Sequence, residues 1–225
     1  NELLKNLTEA VGVASNEKEV RLLIRDLIVD HVDEWHVDAM GNLLALKKGT
    51  GASPLRVLVD AHMDEVGLMI TDVDSNGTFK FEGVGGFNDR TLLGKVVQVG
   101  PEKIIGVIGA RPVHLLKAEQ RNSVVKMDAM RIDIGAKNKD AASGKVKVGE
   151  YAAFVTEYEE LGETAVGKPF DNRAGCAALI ELLRARPYPF DVYASFSVQE
   201  EVGLRGAQVA AYGVNPDAAL VLECT

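Results

Sequence analysis

Apolar residues recur at helical spacing over the first part of the chain, which predicts helices over residues 3–13 and 16–31. Asn16 followed by Glu19 resembles an N-cap with its partner three positions on, so the second helix is expected to begin there. The apolar face predicted for this helix comprises Leu22, Leu23, Leu27 and Ile28.

The helical pattern then gives way to short runs of β-rich residues, some of them alternating between polar and apolar. Residues 35–39 and 43–47 flank Gly41-Asn42, a dipeptide typical of a hairpin turn. Residues 55–59 form a further strand, which leads into a segment rich in aspartate and histidine. Up to this point the order of elements is that of an α/β domain.

From about residue 67 the helical periodicity disappears, and short β-rich runs alternate with glycine, asparagine and proline. The runs cover residues 68–73, 78–81, 96–99, 104–108, 131–134 and 152–156. This pattern predicts a small β-barrel or sandwich. The lysine-rich segment 137–147 is expected to be a solvated loop.

After Pro169 the pattern of an α/β domain returns. It predicts, in order, a helix, a strand, a helix and a strand over residues 172–185, 191–198, 204–212 and 218–224. The simplest organisation is an α/β domain interrupted by an inserted β domain. The predicted parts are 1–66 and 161–225 for the α/β domain and 67–160 for the insertion.

Composition narrows the function classes. The hydrophobic share of 47% and the charged share of 26% are ordinary for a soluble globular protein. No apolar run approaches the roughly 18 residues of a membrane helix, and a net charge of −8 without a basic stripe argues against nucleic acid. Cys176 and Cys224 lie in apolar segments, which favours a reducing compartment and a cytoplasmic location.

Three acidic or histidine motifs lie at boundaries of predicted strands or helices: His62-x-Asp64, Asp171-Asn172-Arg173 and Glu200-Glu201. Glu223 on the last predicted strand makes a fourth. Ligands of α/β sheets bind at the carboxyl ends of the strands. Two adjacent carboxylates at such a point are costly unless a cation or a proton shares the site. Imidazole and carboxylate together suit a divalent metal, and Asp64 could accept the second ring N–H of His62.

Each motif taken alone has another interpretation. A single histidine such as His62 is more often a surface or core residue than a ligand. Asp171 could cap a helix that starts at Asn172, and Glu200 and Glu201 could be solvated turn residues. The joint placement of all four motifs favours the metal site.

Three longer segments contain the first three of these motifs: Ala61-His62-Met63-Asp64-Glu65-Val66-Gly67, Phe170-Asp171-Asn172-Arg173-Ala174-Gly175-Cys176 and Val198-Gln199-Glu200-Glu201-Val202-Gly203-Leu204-Arg205-Gly206. They resemble the dinuclear metal aminopeptidases that assemble as tetrahedral (TET) particles, a group that includes glutamyl aminopeptidases. The resemblance runs through all 225 residues. It implies a zinc-peptidase-like mixed sheet flanked by helices, with an inserted β-barrel (PDZ-like) domain used in oligomerisation. It also implies peptide substrates, two divalent ions (zinc or cobalt) and a homo-oligomer, a dodecamer in the family.

The resemblance also implies a role for each motif. His62 corresponds to a ligand of one metal, Asp64 to its orienting carboxylate and Asp171 to the carboxylate that bridges both metals. Glu200 corresponds to the general base and Glu201 to a ligand of the second metal. Glu223 stands where the family places an acidic ligand, often aspartate, for the metal bound by His62. The family's last ligand, a histidine, lies beyond this chain, so the C-terminal part of the catalytic domain is expected to be missing.

These roles predict a metal-dependent aminopeptidase that acts on short peptides. Two ions about 3.5–4 Å apart would polarise the scissile carbonyl and activate a water, with Glu200 taking its proton. Glu200 and Glu201 can serve one site only if the strand ends there, and Val202-Gly203 is the expected break. The alternatives are an amidohydrolase or deacylase, a glycosidase such as the relatives labelled endoglucanases, and an inactive fragment or assembly subunit.

Overall fold

The computed structural model describes residues 2–51, 53–115, 123–185 and 188–224. The chain divides into two compact units, which are Asn1–Glu65 with Thr156–Thr225, and Val66–Val155. Residues 156–160, which the sequence pattern assigns to the insertion, lie in the first unit. Within the described residues, no helix is both long enough and apolar enough to cross a membrane.

The helices and strands follow one another in the order expected of an interrupted α/β domain. The α-helices are α1 (Glu2–Glu9), α2 (Lys18–Ile28), α3 (Lys139–Ser143), α4 (Phe170–Arg184) and α5 (Arg205–Val214). The strands of the first half are β1 (Glu34–Val37), β2 (Leu43–Lys47), β3 (Arg56–His62), β4 (Gly67–Val73), β5 (Phe79–Val84), β6 (Val96–Val99) and β7 (Ile104–Ala110). Those of the second half are β8 (Met130–Asp133), β9 (Tyr151–Phe154), β10 (Glu159–Leu161), β11 (Thr164–Val166), β12 (Asp191–Ser197) and β13 (Ala218–Val221).

In the first unit, the described strands form a mixed sheet in the order β1-β2-β12-β3-β13. β3 runs parallel to both β12 and β13, whereas β2 is antiparallel to β1 and β12. Successive strand residues point to opposite faces, so Val57, Val59 and Ala61 of β3 share one face. They pack in a core with residues of α1, α2 and α4. The hairpin predicted around Gly41-Asn42 is confirmed.

The first two helices are shorter than predicted, and the N-cap assignment is wrong. Glu17 holds the N-cap position of α2 and makes no side-chain cap bond there. Its Oε1 instead accepts the N–H of Ser15 at 2.6 Å. The fully buried positions of α2 are Val20, Ile24 and Ile28, while Leu22 is 38% exposed and Leu23 and Leu27 are partly buried. The buried residues of α2 therefore recur every four positions, and the buried face is rotated about the helix axis relative to the predicted face.

The second unit is a closed barrel with the strand order β4-β5-β8-β7-β6-β9. Each of the six β-rich runs predicted for this region matches one barrel strand, and closure excludes the sandwich alternative. The expectation of a solvated loop at 137–147 is wrong, because α3 lies there and Ala142 and Val146 are fully buried in the barrel core. The sequence pattern did not indicate this helix because its small apolar residues lie among lysines.

Candidate active site

The carboxyl ends of three parallel strands meet at one edge of the sheet. His62 is the last residue of β3 and pairs with Ser197, the last residue of β12. Beyond β13, the N–H of Leu222 donates to the carbonyl of Asp60 at 2.9 Å. This geometry brings His62, the segment after Ser197 and Glu223 to the same edge. Glu223 was predicted on the last strand, but β13 ends at Val221.

The His62 ring lies at the centre of the acidic groups. Its Nε2 is 3.0 Å from Asp171 Oδ1, 3.6 Å from Glu223 Oε1 and 3.8 Å from Glu200 Oε2. Its Nδ1 faces the carbonyl oxygen of Asp64 at 3.2 Å and carboxylate Oδ1 of the same residue at 3.5 Å. Four of the residues singled out in the sequence therefore surround a ring that is only 2% exposed.

The charge around His62 changes its protonation. Burial lowers the pKa of the imidazole, but the hydrogen bond and charge of Asp64 and the charges of Glu223 and Glu200 outweigh it and raise the pKa to about 9. The ring thus carries a proton at neutral pH when only protein groups surround it. The carboxylates that stabilise the positive charge of the ring can also stabilise a bound divalent cation.

A first ligand set follows from these distances. Among the described residues, His62, Asp171 and Glu223 each offer one ligand atom, and the three atoms lie within 4.8 Å of one another. Glu201 is not part of that group. Burial, and then the charges of Asp171, Asp64 and Glu200 against that of His62, raise the pKa of Glu201 to about 7. The imidazole and carboxylate donors fit a divalent ion such as zinc.

Asp64 is fully buried, and its carboxylate contacts the backbone more closely than the imidazole. Oδ1 accepts the N–H of Glu200 at 3.0 Å, and Oδ2 accepts the N–H of Glu201 at 3.1 Å. The Asp64 carbonyl lies nearer to His62 Nδ1 than the Asp64 carboxylate, which the sequence suggested as its partner. Asp64 thereby ties the end of β3 to the two adjacent glutamates.

The break that separates Glu200 and Glu201 from β12 comes earlier than predicted. The strand ends at Ser197, and Gln199 has a φ of +55°, so the chain leaves the sheet before Glu200. The N–H groups of Gly203 and Leu204 then donate to the Glu200 carbonyl, both at 2.9 Å. Burial and the charges of Asp64, Glu223 and Asp171 raise the pKa of Glu200, while His62 opposes them.

Asp171 projects from the irregular start of α4. Its φ and ψ of −81° and 106° are not helical, and its side chain contacts His62 rather than capping the helix. The next residue, Asn172, donates from Nδ2 to the carbonyl of Leu222 at 2.7 Å and accepts the N–H of Gly175 at 3.0 Å. Asn172 therefore connects the segment that carries Asp171 to the one that carries Glu223.

A buried charge network behind the site was missed in the sequence. Arg173 is fully buried and donates to the carbonyls of Met63 at 2.9 Å and Ala10 at 2.8 Å. Glu65 lies 3.7 Å from Arg173 Nη2 and pairs with Lys168 Nζ at 2.6 Å. Burial lowers the pKa of Lys168, and the charge of Glu65 offsets part of that effect. The sequence signal for this network is that Glu65 and Arg173, which carry opposite charges, lie inside the segments that resemble the aminopeptidase family.

Known proteins are similar to this chain in sequence and in fold. A protein of Acetivibrio thermocellus is 39% identical over 225 residues, which are 100% of this chain and 66% of that protein. A TET aminopeptidase from Thaumarchaeota archaeon SCGC AB-539-E09 matches with a TM-score of 0.92 and 37% identity, over 99% of this chain and 65% of its own.

A further solved structure is the Pyrococcus horikoshii TET1 peptidase, which can assemble into a tetrahedron or a large octahedral shell. It matches with a TM-score of 0.89 and 37% identity, over 100% of this chain and 69% of its own. The chain thus spans about two thirds of the length of these proteins. Residues 41–225, which include every motif described above, match the M42 glutamyl aminopeptidase family. The chain belongs to the M42 glutamyl aminopeptidase family.

Proposed function

We propose that the protein is a metal-dependent aminopeptidase that removes N-terminal residues from short peptides. The observation that carries the proposal is the placement of Asp171, Glu223 and Glu200 within 3.8 Å of His62 Nε2 in a chain of this family. Concentrated negative charge at the site also attracts the positively charged α-amino group of a peptide.

His62, Asp171 and Glu223 would hold one ion, because their donor atoms already lie within 4.8 Å of one another. In the proposed two-metal site, Asp171 and Glu201 would hold the second ion, Asp171 being shared with the first, and the metal would be zinc or cobalt. Bound divalent ions supply a Lewis acid and lower the pKa of a coordinated water to about 7.

Glu200 is the proposed general base. Its carboxylate lies beside His62 without belonging to the group of three ligand atoms, and it keeps partial contact with solvent. A raised pKa makes it a better proton acceptor near neutral pH, and the same carboxyl returns the proton to the leaving amine. The hydrogen bonds from its backbone and that of Glu201 to Asp64 hold the two side chains at the site.

Assembly and location are further parts of the proposal. Strands β4 to β9 of the second unit form a closed barrel, and we assign this unit the role of a PDZ-like oligomerisation module in a dodecamer. This rests on the self-assembly of the Pyrococcus horikoshii TET1 peptidase. Light scattering coupled to size-exclusion chromatography is expected to give the mass of twelve chains. A cytoplasmic location is proposed from the two free thiols.

The test is a panel of aminoacyl-p-nitroanilides with acidic, basic and apolar residues, each also in N-acetylated form, together with metal analysis. We expect two zinc or cobalt ions per chain and cleavage only of substrates with a free amine. Activity should disappear with a chelator and return with either metal. Release of acetate from the acetylated substrates, without release of p-nitroaniline from any substrate, would indicate a deacylase. Chelator-resistant hydrolysis of a β-glucan would indicate a glycosidase. Fewer than two ions per chain in a metal-replete sample would favour an inactive fragment or assembly subunit.

A further inference from the structure

Asn42 lies in the hairpin turn between β1 and β2, far in sequence from Glu200 and Glu201, and is fully buried. Asp38 shapes this turn, because its Oδ1 accepts the N–H groups of Met40, Gly41 and Asn42 at 2.9, 2.9 and 3.0 Å. These hydrogen bonds hold the backbone of Asn42 in place independently of the contacts that its side chain makes with distant segments.

The Asn42 amide binds both ends of the segment that carries Glu200 and Glu201. Its Oδ1 accepts the N–H of Val198 at 3.0 Å, and its Nδ2 donates to the carbonyl of Gly206 at 2.9 Å. The second N–H of Nδ2 donates to Asp38 Oδ2 at 2.8 Å, so both donors of the amide are used. The N–H of Gly206 also donates to the Val198 carbonyl at 3.0 Å, which closes the loop.

The packing at Gly206 shows how close this contact is. A Cβ atom at position 206 would lie 2.3 Å from the Val198 carbonyl oxygen and 2.4 Å from Asn42 Oδ1. Between the two ends, Gln199 and Leu204 adopt left-handed φ values of +55° and +57°. Non-glycine residues adopt such values only when their surroundings enforce them.

We infer that Asn42 is a positioning residue for the reaction, acting through the loop 198–206. It holds the two ends of the loop together, so that Glu200 and Glu201 reach His62 and Asp171 in one geometry. The inference rests on the proposed aminopeptidase function for its catalytic part. Its structural part concerns only the order of the loop.

The test compares Asn42→Ala with Asn138→Ala, which removes an N-cap bond from α3 in the barrel unit. Hydrogen exchange by mass spectrometry reports on residues 198–206, with β7 as the reference segment. We expect Asn42→Ala to raise exchange of the loop amides about 10-fold and to lower kcat about 100-fold with a small change in KM. Asn138→Ala should leave the loop and kcat unchanged. Unchanged loop exchange in folded Asn42→Ala, or an equal loss of kcat in both variants, would overturn the inference.

A second pair of variants keeps the test valid if Asn42→Ala fails to fold. Asn42→Asp places a carboxylate oxygen against Asp38 Oδ2, and adding Asp38→Asn restores a donor between the two side chains. Loop order and kcat should therefore recover partly in the double variant; no recovery counts against the inference. If the wild-type protein is inactive on every substrate, the proposed function is wrong. The exchange data would still decide whether Asn42 orders the loop.

Discussion

The buried carboxylate of Asp64 accepts the backbone N–H of Glu200 at 3.0 Å. Its other oxygen accepts the N–H of Glu201, so one side chain at the end of β3 orients both glutamates that follow β12. The geometry explains how two adjacent residues can face one site, because the chain has left the sheet and no longer alternates between its faces.

Asp64→Asn should destabilise the protein and loosen the loop after β12. The new NH₂ group would face a backbone N–H, which leaves a buried donor unsatisfied at a cost of about 1–3 kcal/mol. Urea unfolding measures the change in the free energy of unfolding. The control is Asp72→Asn, a half-exposed aspartate of β4 that pairs with Lys80. Equal stability of Asp64→Asn and wild type would show that the two amide bonds contribute nothing.

Glu200→Gln should abolish most of the hydrolysis while the bound metal stays. Glutamine has nearly the same shape but cannot take a proton, and loss of a general base lowers kcat about 10²- to 10⁴-fold. The measurements are kcat on the best substrate of the panel and metal content by mass spectrometry. Glu163→Gln, at an exposed turn, is the matched control. Retained turnover would remove Glu200 from the role of base.

Arg173→Met should be one of the most destabilising single changes in the protein. It leaves the buried Met63 and Ala10 carbonyls without their donor, at a cost of about 1–3 kcal/mol each, while Glu65 keeps its pair with Lys168. Arg184→Met on the same helix is the comparison. Its partly exposed pair with Glu181 contributes less than about 1 kcal/mol. If the two variants unfold at the same denaturant concentration, the buried network contributes no more to the free energy of unfolding than the Arg184–Glu181 pair.

Gly206→Ala and Gly213→Ala, both on α5, should shift stability in opposite directions. At position 206 the added methyl meets the Val198 carbonyl oxygen at 2.3 Å, and such overpacking costs about 1–3 kcal/mol. At position 213 the added Cβ would have no atom of the described structure within 4 Å, apart from its chain neighbours and the nearby backbone of its own helix. Alanine should therefore stabilise the helix by about 0.5–1 kcal/mol. Thermal unfolding of the two variants side by side measures the difference. A neutral Gly206→Ala would mean that the loop can move away from α5.

Local patterns predicted most of the elements. The hairpin at Gly41-Asn42 and the six barrel strands were recognisable because turn residues and β-rich runs carry their signal within a few positions. The helix α3 was missed because five residues among lysines are too few for a clear periodicity. The face of α2 was misplaced because apolar residues at positions 20, 22, 23, 24, 27 and 28 allow more than one apolar stripe, and tertiary packing decides which one is buried.

The sequence by itself determined the α/β domain with its inserted β domain and, through its resemblance to a family, the acidic residues and histidine of the site. Only the tertiary structure decided how they meet. His62 and Asp171 are 109 positions apart and lie 3.0 Å from each other. Asn42 reaches Val198 across 156 positions. Residue spacing sets the period and the turns of the chain, whereas contacts between distant segments depend on strand order, register and packing, which no local pattern contains.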